Sequence, residues 1–355
     1  MRWLKTLGLV SLCACFVLSP SANVGAEELR EGYFTMISDL GQQILTTGRV
    51  LESGDRYINE DNRMYEVYRI SERSAYARYV GRVDLSDAVD ESRLLPVTAA
   101  QEWGIVLEEM AEEDPVTVGI YSTHNAESYV PSSGTGSKEG DGDVLKVGET
   151  LAEHMEQEGI RALHDPAHHD PHDAGAYTRS RRTALSLIQQ QADVLFDVHR
   201  DAAPAEQYLV DIDGQEVSRV LLVVGRGNPN NEANLSFAKA LKAAGDEEHP
   251  GLIKGILMAR GSYNQDIGPR ILLLEVGSQE VSLEQAEAGA ALLAAVVPNI
   301  LPSGGEEGAS SSAWWLIAAL VVGGAVFLVI STGGWEEALA RLNQFNPWNG
   351  GGRPR

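Results

Sequence analysis

The run Ile120-Tyr121-Ser122-Thr123-His124-Asn125-Ala126-Glu127 ends an apolar stretch that starts at Val116, and it leaves a histidine and a carboxylate three residues apart. A second apolar run, Val194 to Val198, leads into His199, and a third, Ile271 to Leu274, leads into Glu275. Two imidazoles and one carboxylate form the donor set of a catalytic zinc, which keeps its fourth position for a water whose pKa falls to about 7. His124, Glu127 and His199 are therefore the candidate ligands of a Zn2+ cofactor. Water activated in this way needs a proton acceptor, and Glu275 is the candidate. A lone His-x-x-Glu pair is degenerate, and a histidine at a strand end is more often a hydrogen-bonded structural residue. Three strand-like runs, each ending in a residue of the right type, shift the balance toward the metal.

The elements that would carry these residues alternate. From Val116 the chain reads as strand, helix over Val144 to Gln157, helix over Tyr177 to Ala192, and strand over Val194 to Val198. It continues as strand over Val217 to Val224, helix over Asn234 to Ala244, strand over Ile271 to Leu274 and helix over Leu283 to Val297. This alternation predicts an α/β domain with a largely parallel sheet flanked by helices. Such sheets bind ligands beyond the carboxyl ends of their strands, where His124, His199 and Glu275 would all lie. Before it, residues 27–114 read as an accessory α+β module. It would contain a short amphipathic helix over Tyr33 to Leu45 and alternating strands over Met64 to Ile70 and Ser74 to Val80. The catalytic part is expected over 115–300, and the Gly- and Ser-rich stretch Pro131 to Asp143 reads as a surface loop.

Charge and hydropathy set the surroundings. Lys+Arg 28 against Asp+Glu 51 gives a net charge of -23, which argues against nucleic acid as a partner. Residues 1–26 have the charged start, apolar middle and small-residue end of a signal peptide or an uncleaved anchor, and they contain both cysteines, Cys13 and Cys15. Residues 301–312 read as a linker. Residues 313–331 read as a transmembrane helix flanked by Trp314, Trp315 and Trp335, and 332–355 as a cytoplasmic tail. The resulting expectation is a single-pass membrane protein anchored near its carboxyl end, with the catalytic domain outside the cytoplasm.

The segments STHNAESY, HHDPHDAGAYTRSRRTA, DVHRDA, YNQD and LLLEVG, in this order, resemble the stage II sporulation protein P family of cell-wall hydrolases. The resemblance covers about half of the chain, and DVHRDA followed by LLLEVG is its most specific part. It implies a zinc N-acetylmuramoyl-L-alanine amidase, with endopeptidase activity in some members, acting on peptidoglycan during forespore engulfment. It places metal-binding histidines on His124 and His199 and the catalytic glutamate on Glu275, and it implies cooperation with stage II sporulation proteins D and M. The chain departs from the family's His-Thr-His by carrying Ser122-Thr123-His124. Among His164, His168, His169 and His172, His169 is the candidate substrate contact and the substitute third ligand for Glu127, and the resemblance of His169-Asp170 and of Tyr177-x-Arg179-Ser180 to family segments implies that one of them lines the cleft. Arg200 is a candidate fork for a substrate carboxylate, with a salt bridge to Asp197 or Asp201 as the alternative. Two rival functions stay open, a zinc carboxypeptidase and a non-catalytic wall-binding scaffold.

Overall fold

The computed structural model describes residues 28–29, 32–93 and 116–301. The amino-terminal strands are β1 (Phe34–Ser38), β2 (Gln43–Thr47), β3 (Arg56–Asn59), β4 (Arg63–Ser71) and β5 (Ser74–Arg82), followed by helix α1 (Ala88–Arg93). Next come β6 (Thr117–Tyr121), α2 (Val130–Ser133), α3 (Val144–Gln157), β7 (Arg161–His164), α4 (Ala176–Gln189) and β8 (Val194–Asp201). The remainder is β9 (Leu209–Ile212), β10 (Gln215–Ser218), β11 (Val220–Gly225), α5 (Asn231–Glu248), β12 (Ile253–Ala259), β13 (Ile271–Ser278) and α6 (Leu283–Val296).

Eleven of these strands form one sheet, in the order β2-β1-β5-β4-β3-β12-β11-β13-β8-β6-β7, while β9 and β10 form a separate hairpin. The sheet is mixed, which corrects the expectation of a largely parallel one. β13, β8, β6 and β7 run parallel to one another, but β11 pairs antiparallel with β13, and β3 pairs antiparallel with β12. The physical reason is that β6, β8, β11, β12 and β13 are buried along their whole length. A strand covered on both faces has the same continuous apolar pattern whichever way its neighbour runs.

Burial in β1 instead alternates, as it does in a strand with one covered face. The helix expected over Tyr33 to Leu45 is in fact β1, a turn and β2. The strand expected over Val217 to Val224 is split between β10 and β11. The amino-terminal strands join the sheet where β3 meets β12. There Gly255 has φ +154°, and a Cβ on it would fall 2.3 Å from the Ile58 carbonyl oxygen, so the junction requires glycine. The later helices follow their patterns more closely. α3 spans Val144–Gln157 as read, and α6 opens on a capping box between Ser282 and Gln285.

The membrane expectation also needs correction. No helix among the described residues is long and apolar enough to cross a membrane. The apolar run at 313–331, on which the single-pass anchor rested, lies outside the described residues, as do the segments 1–26 and 332–355.

Candidate metal centre

The parallel block β13-β8-β6 sets the geometry. In register, Glu275 of β13 faces His199 of β8, and Asp197 of β8 faces Tyr121 at the end of β6. Asp197 then fixes the turn that follows β6. Its Oδ1 accepts from the Thr123 backbone N at 2.7 Å and its Oδ2 from Thr123 Oγ1 at 2.7 Å. The next residue, His124, is thereby placed against β8, and its ring centroid lies 5.0 Å from that of His199.

Glu127 sits between the two rings. One of its oxygens, Oε1, is 3.4 Å from His124 Nδ1, and the other, Oε2, is 3.4 Å from His199 Nδ1. The other ring nitrogens are turned outward. His124 Nε2 donates to the Asp173 carbonyl at 3.3 Å, and His199 Nε2 stands 3.1 Å from Asp197 Oδ1. For His124, an outer N–H that meets a carbonyl leaves the inner nitrogen oriented for a cation. His124, Glu127 and His199 are all buried. His124 Nδ1, His199 Nδ1 and Glu127 Oε1 have no hydrogen-bond partner in the protein. His124 Nδ1 and Glu127 Oε1 are buried donors of the type that suits a divalent ion of the zinc class, whereas His199 reaches Glu127 only through its second oxygen and lies outside the group of ligand atoms that come within 4.8 Å of one another.

Two further residues enter this space. The ligand atoms of Glu28, His124, Glu127 and His172 all lie within 4.8 Å of one another. The rings of His172 and His124 are tilted at a centroid distance of 4.1 Å. Tyr177 of α4 lines the other side, 5.3 Å from the His124 ring. Glu28, His124 and His172 border a cleft of about 620 Å³ that is also lined by Gly48, Ser137, Arg200 and Gln279. A smaller cavity of about 280 Å³, lined by Gly54, Arg56, Arg226 and Asn231 among others, shares no residue with it.

Glu275 is buried beside the donors. Arg49 Nε donates to its Oε1 at 2.6 Å, whereas Oε2 has no partner. Arg49 is itself buried, lies 2.9 Å from Glu28 Oε1, and has its guanidinium over the Tyr263 ring. Burial pushes the Glu275 carboxyl up to about 8, with the Arg49 charge acting in the opposite direction. For His124, burial disfavours the imidazolium, but the carboxylates of Glu28 and Glu127 more than offset this and raise it to about 9. Burial likewise pushes the Glu28 carboxyl up, while Arg49 and His124 hold it well below the usual carboxylate range. A protein with this donor set therefore holds protons that a bound cation would displace.

The other expected site residues are used differently. His169 is buried, with Nδ1 donating to the Ser122 carbonyl at 2.8 Å and Nε2 2.9 Å from Thr183 Oγ1. Both ring nitrogens are engaged, so His169 braces the turn that bears His124. Arg200 lines the cleft, but its guanidinium donates to the carbonyls of Ser128 at 3.4 Å and Gly136 at 2.8 Å. Its backbone N donates to Glu127 Oε2 at 3.0 Å, which orients that carboxylate. Asp201 is engaged elsewhere than with Arg200. It accepts from Thr47 Oγ1, Gly48 N and Tyr208 OH, tying the segment after β2 to β8. The loop over residues 131–143 folds back on the turn, and a Cβ on Gly142 would fall 2.2 Å from the Asn125 carbonyl oxygen.

Glu28, Arg49 and His172 are the residues that sequence reasoning missed. The density of histidine and aspartate around 164–173 marks the region of His172 without choosing among its members. Nothing in the sequence marks Arg49, which reaches Glu275 across 226 residues.

A model of the family described as Stage II sporulation protein P (SpoIIP) matches residues 52–298. The Stage II sporulation protein P of Bacillus subtilis (strain 168) is 29% identical over 202 residues, which cover 52% of this chain and 50% of that protein. The chain thus spans about half the length of the curated relative it matches. Among solved structures, the N-acetylmuramoyl-L-alanine amidase AmiC2 of Nostoc punctiforme aligns with a TM-score of 0.35 at 18% identity, over 52% of this chain and 94% of that one. An N-acetylmuramoyl-L-alanine amidase from Clostridium difficile 630 aligns with a TM-score of 0.36 at 16% identity, over 53% and 96%.

Proposed function

The chain belongs to the Stage II sporulation protein P family, and from that premise we propose that it is a cell-wall hydrolase of sporulation, cleaving the amide bond between N-acetylmuramic acid and L-alanine in peptidoglycan. The observation that carries this reading is the convergence of His124, Glu127 and His199 through one shared carboxylate, with Glu275 in register beside His199.

In this reading His124, Glu127 and His199 hold one Zn2+, with His172 at the rim. When bound, the ion supplies Lewis acidity toward the substrate carbonyl and lowers the pKa of a water. Glu275 moves the proton. Oε2, free of partners, takes it from the attacking water and returns it to the leaving nitrogen of L-alanine, while Arg49 keeps Oε1 fixed. A carboxyl raised to about 8 lies close to the operating pH, where one group can serve as both acceptor and donor. The products are the lactyl carboxylate of the muramic acid and a stem peptide with a free L-alanine amino group. Arg200 positions Glu127 and holds the Ser128 and Gly136 carbonyls at the cleft wall.

The test is digestion of purified peptidoglycan by the unaltered chain and by Glu275→Gln, with the newly exposed end group identified. The expected result is free L-alanine amino termini from the unaltered chain and none from the variant, with the ion retained in both. Release of carboxyl-terminal amino acids instead would assign a carboxypeptidase, and no release would leave a binding scaffold.

A further inference from the structure

Glu28 is outside the ligand set proposed above, yet its carboxylate enters the space between the ligands. Oε1 lies 2.9 Å from Arg49 Nη2, while Oε2 lies 3.5 Å from His124 Nδ1 and 3.4 Å from His172 Nε2. The side chain is 15% exposed. The backbone holds it in place, since the Leu29 N donates to the Gly48 carbonyl at 2.8 Å and Glu28 bridges Arg49 in antiparallel fashion. Leu29 also packs against the core.

Two carboxylates, Glu28 and Glu127, therefore present oxygens within 4.8 Å of each other in a largely buried pocket. Like charges at that separation repel unless positive charge lies between them. Arg49 satisfies one oxygen of Glu28 and leaves the other directed at the imidazoles. A catalytic zinc has three protein ligands and an open position, whereas a site with four protein ligands is closed.

We propose that Glu28 is a built-in plug, a fourth protein ligand that closes the position otherwise open to water and substrate. It follows that the chain as described is a self-occluded form, and that residues 28–29 must leave Gly48 and Arg49 before the cleft can accept a substrate. The inference rests on the reading of His124, Glu127 and His199 as metal ligands.

The plug is tested on the full-length chain loaded with Co2+, with acetohydroxamic acid as a probe that chelates an open metal position. Glu28→Gln keeps the shape of the side chain and removes its charge, and Glu28→Ala removes both. Leu29→Pro keeps the carboxylate and deletes the N–H that anchors it to Gly48. The expected result is at least tenfold tighter probe binding by all three variants than by the unaltered chain, read from the visible absorption of the cobalt. Equal or weaker probe binding by Glu28→Gln and Glu28→Ala would overturn the plug while leaving the metal site intact. Failure of the unaltered chain to bind Co2+ would remove the metal site and the plug together.

Discussion

The parallel block β13-β8-β6 and the amino-terminal strands β1 to β5 meet at the same cleft, but they contribute differently. The parallel block supplies the donors, each placed by strand register: Glu275 faces His199, and Asp197 secures the turn that bears His124. The amino-terminal region has no ligand in the family-implied set, yet it supplies Arg49, which fixes one oxygen of Glu275, and Glu28, which enters the donor cluster. Its attachment is specific, through Asp201 accepting from Thr47 and Gly48. The difference teaches that the candidate donors are local to the parallel strands, while the groups that pair with them or enter among them arrive from a distant part of the chain.

The comparison breaks most sharply at the donors. Glu275→Gln is expected to lower the rate of amide cleavage by about 10²- to 10⁴-fold, the range for removing a general base, with the ion still bound. Single-turnover digestion of peptidoglycan together with metal analysis checks it, and near-native turnover would mean that Glu275 moves no proton. His199→Ala is expected to abolish both cleavage and stoichiometric ion binding. Retention of one ion per chain would move the site away from His199.

Arg49 tests the amino-terminal side. Arg49→Met leaves the carboxylates of Glu28 and Glu275 buried without their cation, and loss of one partner of a buried pair destabilises by about 3–5 kcal/mol. Urea unfolding measures it, and a change below about 1 kcal/mol would show that Arg49 is a bystander. His169→Phe sharpens the division between ligand and brace. It forfeits the bonds to Ser122 and Thr183 and is expected to cost about 1–3 kcal/mol of stability while leaving ion stoichiometry unchanged. Loss of the ion in that variant would make His169 a ligand.

A pH-dependent effect lies at the seam between the regions. Lys254 of β12 is buried over the Tyr208 ring, and burial lowers it from its ordinary 10.5 to about 7, with nearby Asp201 opposing. Between these two values the unfolded chain binds more protons than the folded one, so folding stability from this group rises as pH increases from about 7 to about 10.5. Lys254→Met is expected to flatten that part of the stability–pH curve. An identical slope in the variant would mean that Lys254 remains charged in the fold.

The nearness of the candidate site residues was more legible in the sequence than the direction of the strands that carry them. His124, Glu127, His199 and Glu275 each follow or sit in an apolar run, and their types alone suggested the chemistry. The direction of β11 and β12 was not legible, because strands buried on both faces show no difference between parallel and antiparallel neighbours. Tyr33 to Leu45 was misread as a helix, because in a short segment the turn between β1 and β2 leaves too few alternating residues to fix the period. Glu28 and Arg49 left no local trace, since their roles come from contacts that form only when the chain closes on itself. His172 was visible only as one histidine among several, and it took the fold to distinguish it from His169.

The measurement that bears most directly on the whole account is anomalous X-ray scattering at the zinc edge from crystals of the full chain grown with Zn2+. The account predicts one peak about 2.0–2.2 Å from His124 Nδ1, Glu127 and His199 Nδ1. A peak held instead by His164 or His168, or no ordered ion at all, would contradict it.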